Sequence, residues 1–224
     1  INSNEISWWH LVRYKVITEI LIKKKLYIPI ENISVKNSLK SKLKNILKLF
    51  FEILIIITSR NTKIESLYFF TRKVEYFDKL ISSDKKTALI ISREMKDYGN
   101  NIFISYRTIA VLAKLIKSFV FISKNLKEKI YETSKEIMTR YNTDVYKLII
   151  DKYKTEIAFY YVWKIILANS PYLSKVFFMS NDSNFSLVHL ANKLKIETYE
   201  VQHGYMGSTN YMYSLPRVNS NLST

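Results

Sequence analysis

The sequence predicts an α/β fold, with a parallel sheet that follows a helical and basic N-terminal segment. From Lys63 onward, short apolar runs of strand length alternate with segments of helical spacing, a pattern typical of parallel sheets with helical crossovers. The clearest such unit lies at 175–207, where strand, loop, helix and strand follow one another. Two strands joined by one helix are expected to be parallel, with a right-handed crossover.

Residues 1 to about 60 are expected to be helical. A basic helix is indicated by apolar residues at helical spacing, at Leu39, Leu43, Ile46, Leu47, Phe50, Leu54 and Ile57, and by lysines on another face, at Lys40, Lys44 and Lys48. Such a helix can lie on an anionic bilayer, or it can pack on the domain with a solvated lysine stripe. We favour packing on the domain. The β-branched end at 52–58 also fits a strand.

The next elements follow in order along the chain. Strands are predicted at 65–71 and 87–92, with a short helix at 73–81 between them, and a third strand or a lead into a helix at 102–106. Helices are predicted at 108–117 and 126–140, while 119–123 is ambiguous. The run Asn142-Thr143-Asp144 is expected to cap a long helix that extends to about Ala168.

The last unit begins with a strand at 176–180. Asn181, Asp182 and the two residues after them break the strand and offer N-cap side chains. Leu187, Leu190, Ala191 and Leu194 then recur at helical spacing. The run 196–201 is rich in β-branched and aromatic residues and predicts the second strand.

The candidate site lies where these two strands end. In open parallel sheets, ligands bind outside the carboxyl ends of the strands. One strand leads into Asn181 and Asp182, and the next leads into Gln202, His203 and Gly204. If the strands are neighbours, these groups converge on one crevice, and the N-terminus of the helix near 183–184 favours an anion there.

Within this site His203 is the candidate general base or anion contact. Its reference pKa near 6.5 lets a histidine accept a proton near neutral pH. Glu200 or Asp182 could orient its ring or keep it protonated, and Gly204 would let the backbone approach a ligand closely.

Glu200 is unusual for an inner strand of a parallel sheet, which is normally apolar on both faces. Thr198, Glu200 and Gln202 share one face of the predicted strand. Because a buried carboxylate is costly unless it is paired, Glu200 either lies near the open end of the sheet or has a partner there. The alternative is an edge strand with one face in water. We favour the site.

Composition excludes several classes of protein. There is no cysteine, so disulfides, thiolate metal sites and a thiol nucleophile are excluded, and a reducing compartment fits. The only glycines are Gly99, Gly204 and Gly207, which excludes a Walker A loop, a G-x-G-x-x-G loop and a nucleophile elbow. The three histidines have no metal-binding spacing, so no metal is expected. His189 lies in the middle of a predicted helix, beside its apolar stripe, and is expected to be a packing residue. No apolar run reaches the length of a transmembrane helix.

The net charge is +16. Basic chains often bind nucleic acid or anionic membranes, but these lysines are scattered and no nucleic-acid-binding motif is present. Compositional bias toward Ile, Lys, Asn and Tyr explains most of the excess, so nucleic acid is not an expected partner. The start at Ile1 and the polar end of the chain favour a fragment.

The run 196–204, Ile-Glu-Thr-Tyr-Glu-Val-Gln-His-Gly, is followed by Tyr211 and Pro216. This pattern resembles bacterial surface and capsular polysaccharide glycosyltransferases of the GT-B type. It is similar, more distantly, to the histidine-glycine motif of CDP-glycerol glycerophosphotransferases and polysialyltransferases. The resemblance covers about 176–216.

The resemblance implies a Rossmann-like domain, the N-terminal, acceptor-side half of a GT-B fold. It would occupy 61–216, after the helical extension at 1–60, and 217–224 would begin the linker to a donor-binding domain. His203 would be the catalytic base or a phosphate contact, and Glu200 would assist it. Gln202, Gly204 and Tyr211 would bind substrate.

The implied reaction moves a sugar from a nucleotide-activated donor to a surface polysaccharide or lipid-linked acceptor. The nucleotide-sugar would be a substrate, and no bound cofactor is implied. The expected location is the cytoplasm, peripheral on the inner face of the membrane. The alternative function is a non-catalytic Rossmann-like module that binds a partner or an anionic membrane through its basic N-terminal helices.

Overall fold

The structure is a computed structural model. It describes residues 8–25, 39–70, 79–82, 87–93, 99, 101–179 and 185–201, and for residues 10, 14 and 39–46 the backbone alone. The helices are α1 (Trp8–Lys23), α2 (Leu39–Thr58), α3 (Tyr106–Lys117), α4 (Lys124–Tyr141), α5 (Tyr146–Ala168) and α6 (Phe185–Lys193). The strands are β1 (Ser66–Phe70), β2 (Ala88–Ser92), β3 (Ile102–Ser105), β4 (Lys175–Phe178) and β5 (Glu197–Glu200).

The five strands form one sheet in the order β3-β2-β1-β4-β5. Every neighbouring pair is parallel. This confirms the predicted α/β fold with a Rossmann-like parallel sheet, and it confirms that β4 and β5 are parallel neighbours joined through α6. The third predicted strand is β3, which leads directly into α3.

Both faces of the sheet are apolar, as burial between layers of a parallel sheet requires. On one face, Phe69 meets Trp163 of α5 at 4.9 Å between ring centroids and Tyr106 of α3 at 5.8 Å. On the other face, a buried cluster joins strand residues to Ile81 from the helical stretch at 79–82; its members are Tyr68, Phe70, Ile81, Ala88, Ile90 and Met179. All residues of β1 and β2 are buried, so the core is centred on these strands.

The connections after β3 follow the predicted boundaries closely. Residues 119–123, which the sequence left ambiguous, form a turn and a loop between α3 and α4. Ser123 caps α4 by accepting a hydrogen bond from the backbone N–H of Leu126 at 3.3 Å. Asn142 ends α4 in the left-handed conformation, with φ of 53°, and Asp144 accepts from the backbone N–H of Tyr146 at 3.0 Å as α5 begins. The predicted cap is therefore divided between the two helices.

Helix α2 is the clearest departure from expectation. It is helical through Thr58, so the strand alternative for its end is wrong. The preference for a helix that packs its apolar stripe on the domain is also wrong for the described members of that stripe. Leu47, Phe50, Leu54 and Ile57 are each at least 40% exposed. The buried face is instead the one that carries Glu52 and Ile56.

Contacts divide the chain into two compact units. One comprises residues 1–37 and 114–158, and the other comprises 38–113 and 159–224. In the first unit, Lys117 forms an ion pair with Asp151, with 2.6 Å between Nζ and Oδ1. The second unit contains all five strands. The segment boundaries proposed from the sequence at 60 and 216 stay predictions. Among the helices of the described ranges, none is long and apolar enough to span a bilayer.

Candidate functional site at the carboxyl edge of the sheet

All five carboxyl ends lie at one edge of the sheet because all strands are parallel. The last residues of the five strands, in chain order, are Phe70, Ser92, Ser105, Phe178 and Glu200. The strand order runs from β1 outward to β3 on one side, and from β4 to β5 on the other. The direction reverses between β1 and β4, and such a switch point is where open α/β sheets bind ligands.

Most of the predicted site residues lie outside the described residues. These are Asn181, Asp182, Gln202, His203, Gly204 and Tyr211. What the structure describes is the position from which each segment leaves the sheet. Asn181 comes three residues after Phe178 of β4, and His203 comes three residues after Glu200 of β5. Phe178 and Glu200 are register partners. The two predicted groups thus follow, in the sequence, paired positions at the ends of adjacent strands.

The pairing of β5 with β4 continues up to the predicted motif. The backbone N–H of Val201 donates to the carbonyl of Phe178 at 2.8 Å, and the Val201 side chain packs against the apolar cluster that contains Met179. Gln202 is the next residue. The last described residue before the motif thus lies at the carboxyl edge of the sheet, next to β4.

Glu200 is the only predicted site residue that the structure describes. It is the last residue of β5, and its side chain is exposed. β5 is the outermost described strand on its side of the sheet, which explains why three of its four residues are exposed. Among the described strands β5 is therefore an edge strand, which is the alternative that the sequence left open, and Glu200 stands at its carboxyl end. Because it is exposed, this carboxylate does not bear the large desolvation cost of a buried charge.

The α3 N-terminus, at the same edge, is closed to an anionic ligand. The Glu52 side chain is buried, and its Oε2 accepts a hydrogen bond from the backbone N–H of Ser105 at 3.0 Å and another from the Thr108 hydroxyl. Lys48 lies 3.6 Å from the other carboxylate oxygen. A carboxylate at a helix N-terminus satisfies unpaired N–H groups and the helix dipole. A phosphate would meet that negative charge.

The α6 N-terminus is different because the switch point lies beside it. Helix α6 starts at Phe185, after the segment that leaves β4. The inner face of the helix is buried and consists of Ser186, Leu187, Val188, Leu190 and Ala191. In its last turn, the side-chain oxygen of Asn192 accepts a hydrogen bond from the Thr198 hydroxyl at 3.3 Å. The hydrogen bond to Thr198 joins the helix to β5. Its first-turn N–H groups are the ones that the sequence analysis assigned to an anion.

Sequence reasoning missed two arginines at the carboxyl edge. Arg93 directly follows β2, and its guanidinium carbon lies 5.7 Å from the centroid of the Tyr106 ring, within range of a cation–π interaction. Arg107 is exposed in the first turn of α3. An arginine soon after a predicted strand was the available signal. Only the strand order shows that β2, which precedes Arg93, borders β1 at the switch point.

His189 shows what a structural histidine looks like in this chain. It is half-buried in α6, and its ring lies 6.3 Å from Phe185 and 6.4 Å from Tyr160 of α5. These contacts agree with the packing role expected from its place beside the apolar stripe. Within the described ranges, no group of three histidine, aspartate or glutamate side chains is arranged to hold a metal ion.

Tyr199 adds a partly exposed aromatic ring to β5. Its ring stacks on Phe177 at 4.9 Å, and Phe177 stacks on Tyr68 at 4.7 Å, so three rings form a row across β1, β4 and β5. The Tyr199 hydroxyl donates to Oε2 of Glu197 at 2.6 Å. This hydrogen bond is the main cause that raises the pKa of Tyr199 above 10.0, so the ring is a neutral donor at physiological pH.

Comparison with known proteins gives no match: no family model, no curated protein and no solved structure is significantly similar to this chain.

Proposed function

We propose that this chain carries the histidine loop of a transferase that moves a sugar from a nucleotide-activated donor to a surface polysaccharide or lipid-linked acceptor. One observation supports this most strongly. β5 remains paired with β4 up to Val201, and the motif Gln202-His203-Gly204 follows Val201 directly in the sequence. Loops at the carboxyl edge are where open α/β sheets bind and transform ligands.

The proposed chemistry assigns one role to each part of the edge. The acceptor hydroxyl oxygen attacks the anomeric carbon of the donor, and an imidazole nitrogen of His203 takes its proton. The bond between the anomeric carbon and the phosphate oxygen breaks, and its electron pair leaves with the nucleoside diphosphate. Glu200 stabilises the imidazolium that forms. Asn181, Asp182, Gln202, Gly204 and Tyr211 position the substrates.

The anionic leaving group is expected on the side of the edge that carries positive potential. Helix α6 begins after β4, and Arg93 follows β2; these two strands both border β1, while the Glu52 carboxylate closes the α3 N-terminus. Fixed donors and charges aimed at developing negative charge are a large source of catalysis. The net charge of +16 attracts anionic donors over a longer range.

A transfer assay tests the proposal. The 224-residue chain, and in parallel the product of the whole reading frame that encodes it, is incubated with uridine, guanosine and cytidine diphosphate sugars and with lipid-linked glycan acceptors. Products are measured by mass spectrometry. We expect His203→Ala to lower the transfer rate by at least about 100-fold, the usual contribution of a general base.

The matched control is His189→Gln. It changes a histidine of α6 whose ring packs against the rings of Phe185 and Tyr160. It is expected to retain transfer once the variant is shown to be folded. A His203→Ala variant with the wild-type rate contradicts the role given to His203. Absence of transfer with every donor, in both forms of the protein, contradicts the proposed function and favours a non-catalytic binding module.

A further inference from the structure

Helix α2 turns a continuous apolar face toward solvent. Its five members are 40 to 62% exposed: Leu47, Phe50, Phe51, Leu54 and Ile57. They recur at spacings of three and four residues, which places them on one side of the helix over three turns. We call this surface the α2 apolar face. It belongs to the unit that contains the sheet.

The opposite side of the helix is fixed to the domain. Glu52 is buried and hydrogen-bonded to Ser105 and Thr108, and Ile56 is 3% exposed. The Ser59 hydroxyl lies 2.7 Å from the carbonyl of Ile56 and 3.2 Å from that of Asn169. These contacts set the rotation of α2 about its axis. The helix cannot bury its apolar face on the sheet without breaking the Glu52 hydrogen bonds.

Exposed apolar residues are ordinary when they occur singly, but contiguous patches mark interaction sites. Here two phenylalanines, two leucines and an isoleucine are adjacent on one helix. Two phenylalanine rings, those of Phe50 and Phe51, lie 6.4 Å apart. A surface of this kind is costly in water and gains free energy when a partner covers it.

The charge on α2 selects the partner. The helix carries lysines at 40, 42, 44 and 48, and its one acidic residue is Glu52. Because Glu52 is buried and paired with Lys48, α2 exposes no carboxylate, while Lys48 itself is exposed. Arg60 follows directly in the next turn and is exposed. Apolar side chains accompanied by cations are complementary to an anionic bilayer surface.

We propose that α2 docks this chain on an anionic lipid bilayer. Helix α2 would lie in the plane of the interface, with the apolar face at the boundary between headgroups and acyl chains and the lysines among lipid phosphates. A second copy of the chain is a poorer occupant, because pairing two α2 helices would bring their lysines together and join two chains that each carry +16. The proposal stands independently of the transfer reaction.

Vesicle sedimentation tests the proposal with the 224-residue chain. The probes are vesicles of phosphatidylglycerol with phosphatidylcholine, and vesicles of phosphatidylcholine alone. We expect binding to the anionic vesicles that weakens with added salt, and much weaker binding to the neutral ones. The double variant Phe50→Gln with Leu54→Gln should lower the partition coefficient at least about tenfold.

Charge is tested separately. Lys40→Gln with Lys44→Gln should weaken binding by about fivefold for each lysine, and Lys48 is left intact because it pairs with Glu52. The matched control is Met138→Gln with Tyr141→Gln, which removes two exposed apolar side chains from α4 and should leave binding unchanged. Circular dichroism and urea midpoints verify that each variant is folded.

Four results would overturn the proposal. The proposal is wrong if the wild-type protein does not bind anionic vesicles. It is also wrong if the Phe50 and Leu54 double variant binds them as well as the wild type does. If vesicle binding is lost only in the double variant Phe119→Gln with Phe121→Gln, the lipid-binding surface is the loop after α3 and not α2. These two side chains are 77% and 92% exposed. A dimer in sedimentation velocity that the Phe50 and Leu54 variant disperses makes α2 a contact between copies. His203→Ala should bind vesicles normally, which separates this test from that of the transfer reaction.

Discussion

Oε2 of Glu52 accepts a hydrogen bond from the backbone N–H of Ser105, with 3.0 Å between the two atoms. The carboxylate of one helix thereby occupies the N-terminus of another, at the carboxyl edge of the sheet. It fixes which side of α2 is buried, and it neutralises one of the two helix N-termini described at that edge. The choice of both the proposed anion site and the proposed membrane surface depends on this contact.

Removing that carboxylate should destabilise the unit that contains the sheet. Glu52→Ala leaves the Ser105 N–H and the Thr108 hydroxyl without their acceptor, and we expect the free energy of unfolding to fall by about 3 kcal/mol. Glu52→Gln keeps an acceptor and should lower it by about 1 to 2 kcal/mol. Urea unfolding followed by tryptophan fluorescence measures both.

The control for Glu52 is Glu136→Gln, because Glu136 pairs with Arg140 on the exposed surface of α4, with 2.7 Å between Oε1 and Nη2. An exposed ion pair contributes at most about 1 kcal/mol. Equal small losses in the Glu52 and Glu136 variants would show that the Glu52 contacts contribute little to stability.

The three stacked rings of Tyr68, Phe177 and Tyr199 lead to a prediction about stability: removing the middle ring should cost more free energy of unfolding than removing the outer one. Phe177 stacks between Tyr68 and Tyr199, so Phe177→Leu removes two ring contacts and should lower the free energy of unfolding by about 1 to 2 kcal/mol. Tyr199→Leu, at the outer end of the row, should cost less. Tyr172→Leu is the control, since Tyr172 is 57% exposed. Equal losses in all three variants would contradict the stacking argument.

The pKa of Tyr199 makes a prediction at high pH. The hydrogen bond to Glu197, desolvation and the Glu197 charge all raise this pKa above 10.0 in the folded chain. A raised pKa means that the folded state holds the proton more tightly than the unfolded state. The resulting stabilisation is present below pH 10 and is lost as the pH rises through the folded-state pKa.

Phenolate titration of ring-labelled tyrosine by NMR measures this shift, with Tyr199→Phe used to assign the signal. Glu197→Gln should bring the Tyr199 midpoint down toward the ordinary value. A midpoint that does not respond to Glu197→Gln would show that Glu197 is not the cause.

The arginines at the carboxyl edge lead to a prediction about ligand binding that rests on the proposed transferase function. Arg93→Gln should weaken the binding of a nucleoside diphosphate by about tenfold, because one charge-assisted hydrogen bond is lost. Isothermal titration calorimetry at two salt concentrations measures this. Arg140→Gln removes the same charge from the surface of α4 and should have little effect. Equal weakening in both variants would indicate that net charge, and not this site, attracts the ligand.

Sequence alone predicted the alternation of strands and helices, the parallel pairing of β4 with β5, and the packing role of His189. These features are local, or they follow from a short crossover that permits few arrangements. The candidate loop after Val201 was also a sequence prediction, and the structure adds that Val201, the residue before it, is hydrogen-bonded to Phe178 of β4. The roles of its residues stay predictions.

Strand order and helix rotation were decided by tertiary structure. Periodicity showed that α2 has an apolar side, but it could not show which side meets the protein, because the deciding contact joins Glu52 to Ser105, 53 residues away. Likewise, β1 pairs with both β2 and β4, and only this pairing brings Arg93 near the switch point. Local sequence determines what each element can bury, whereas contacts between distant residues determine what it does bury.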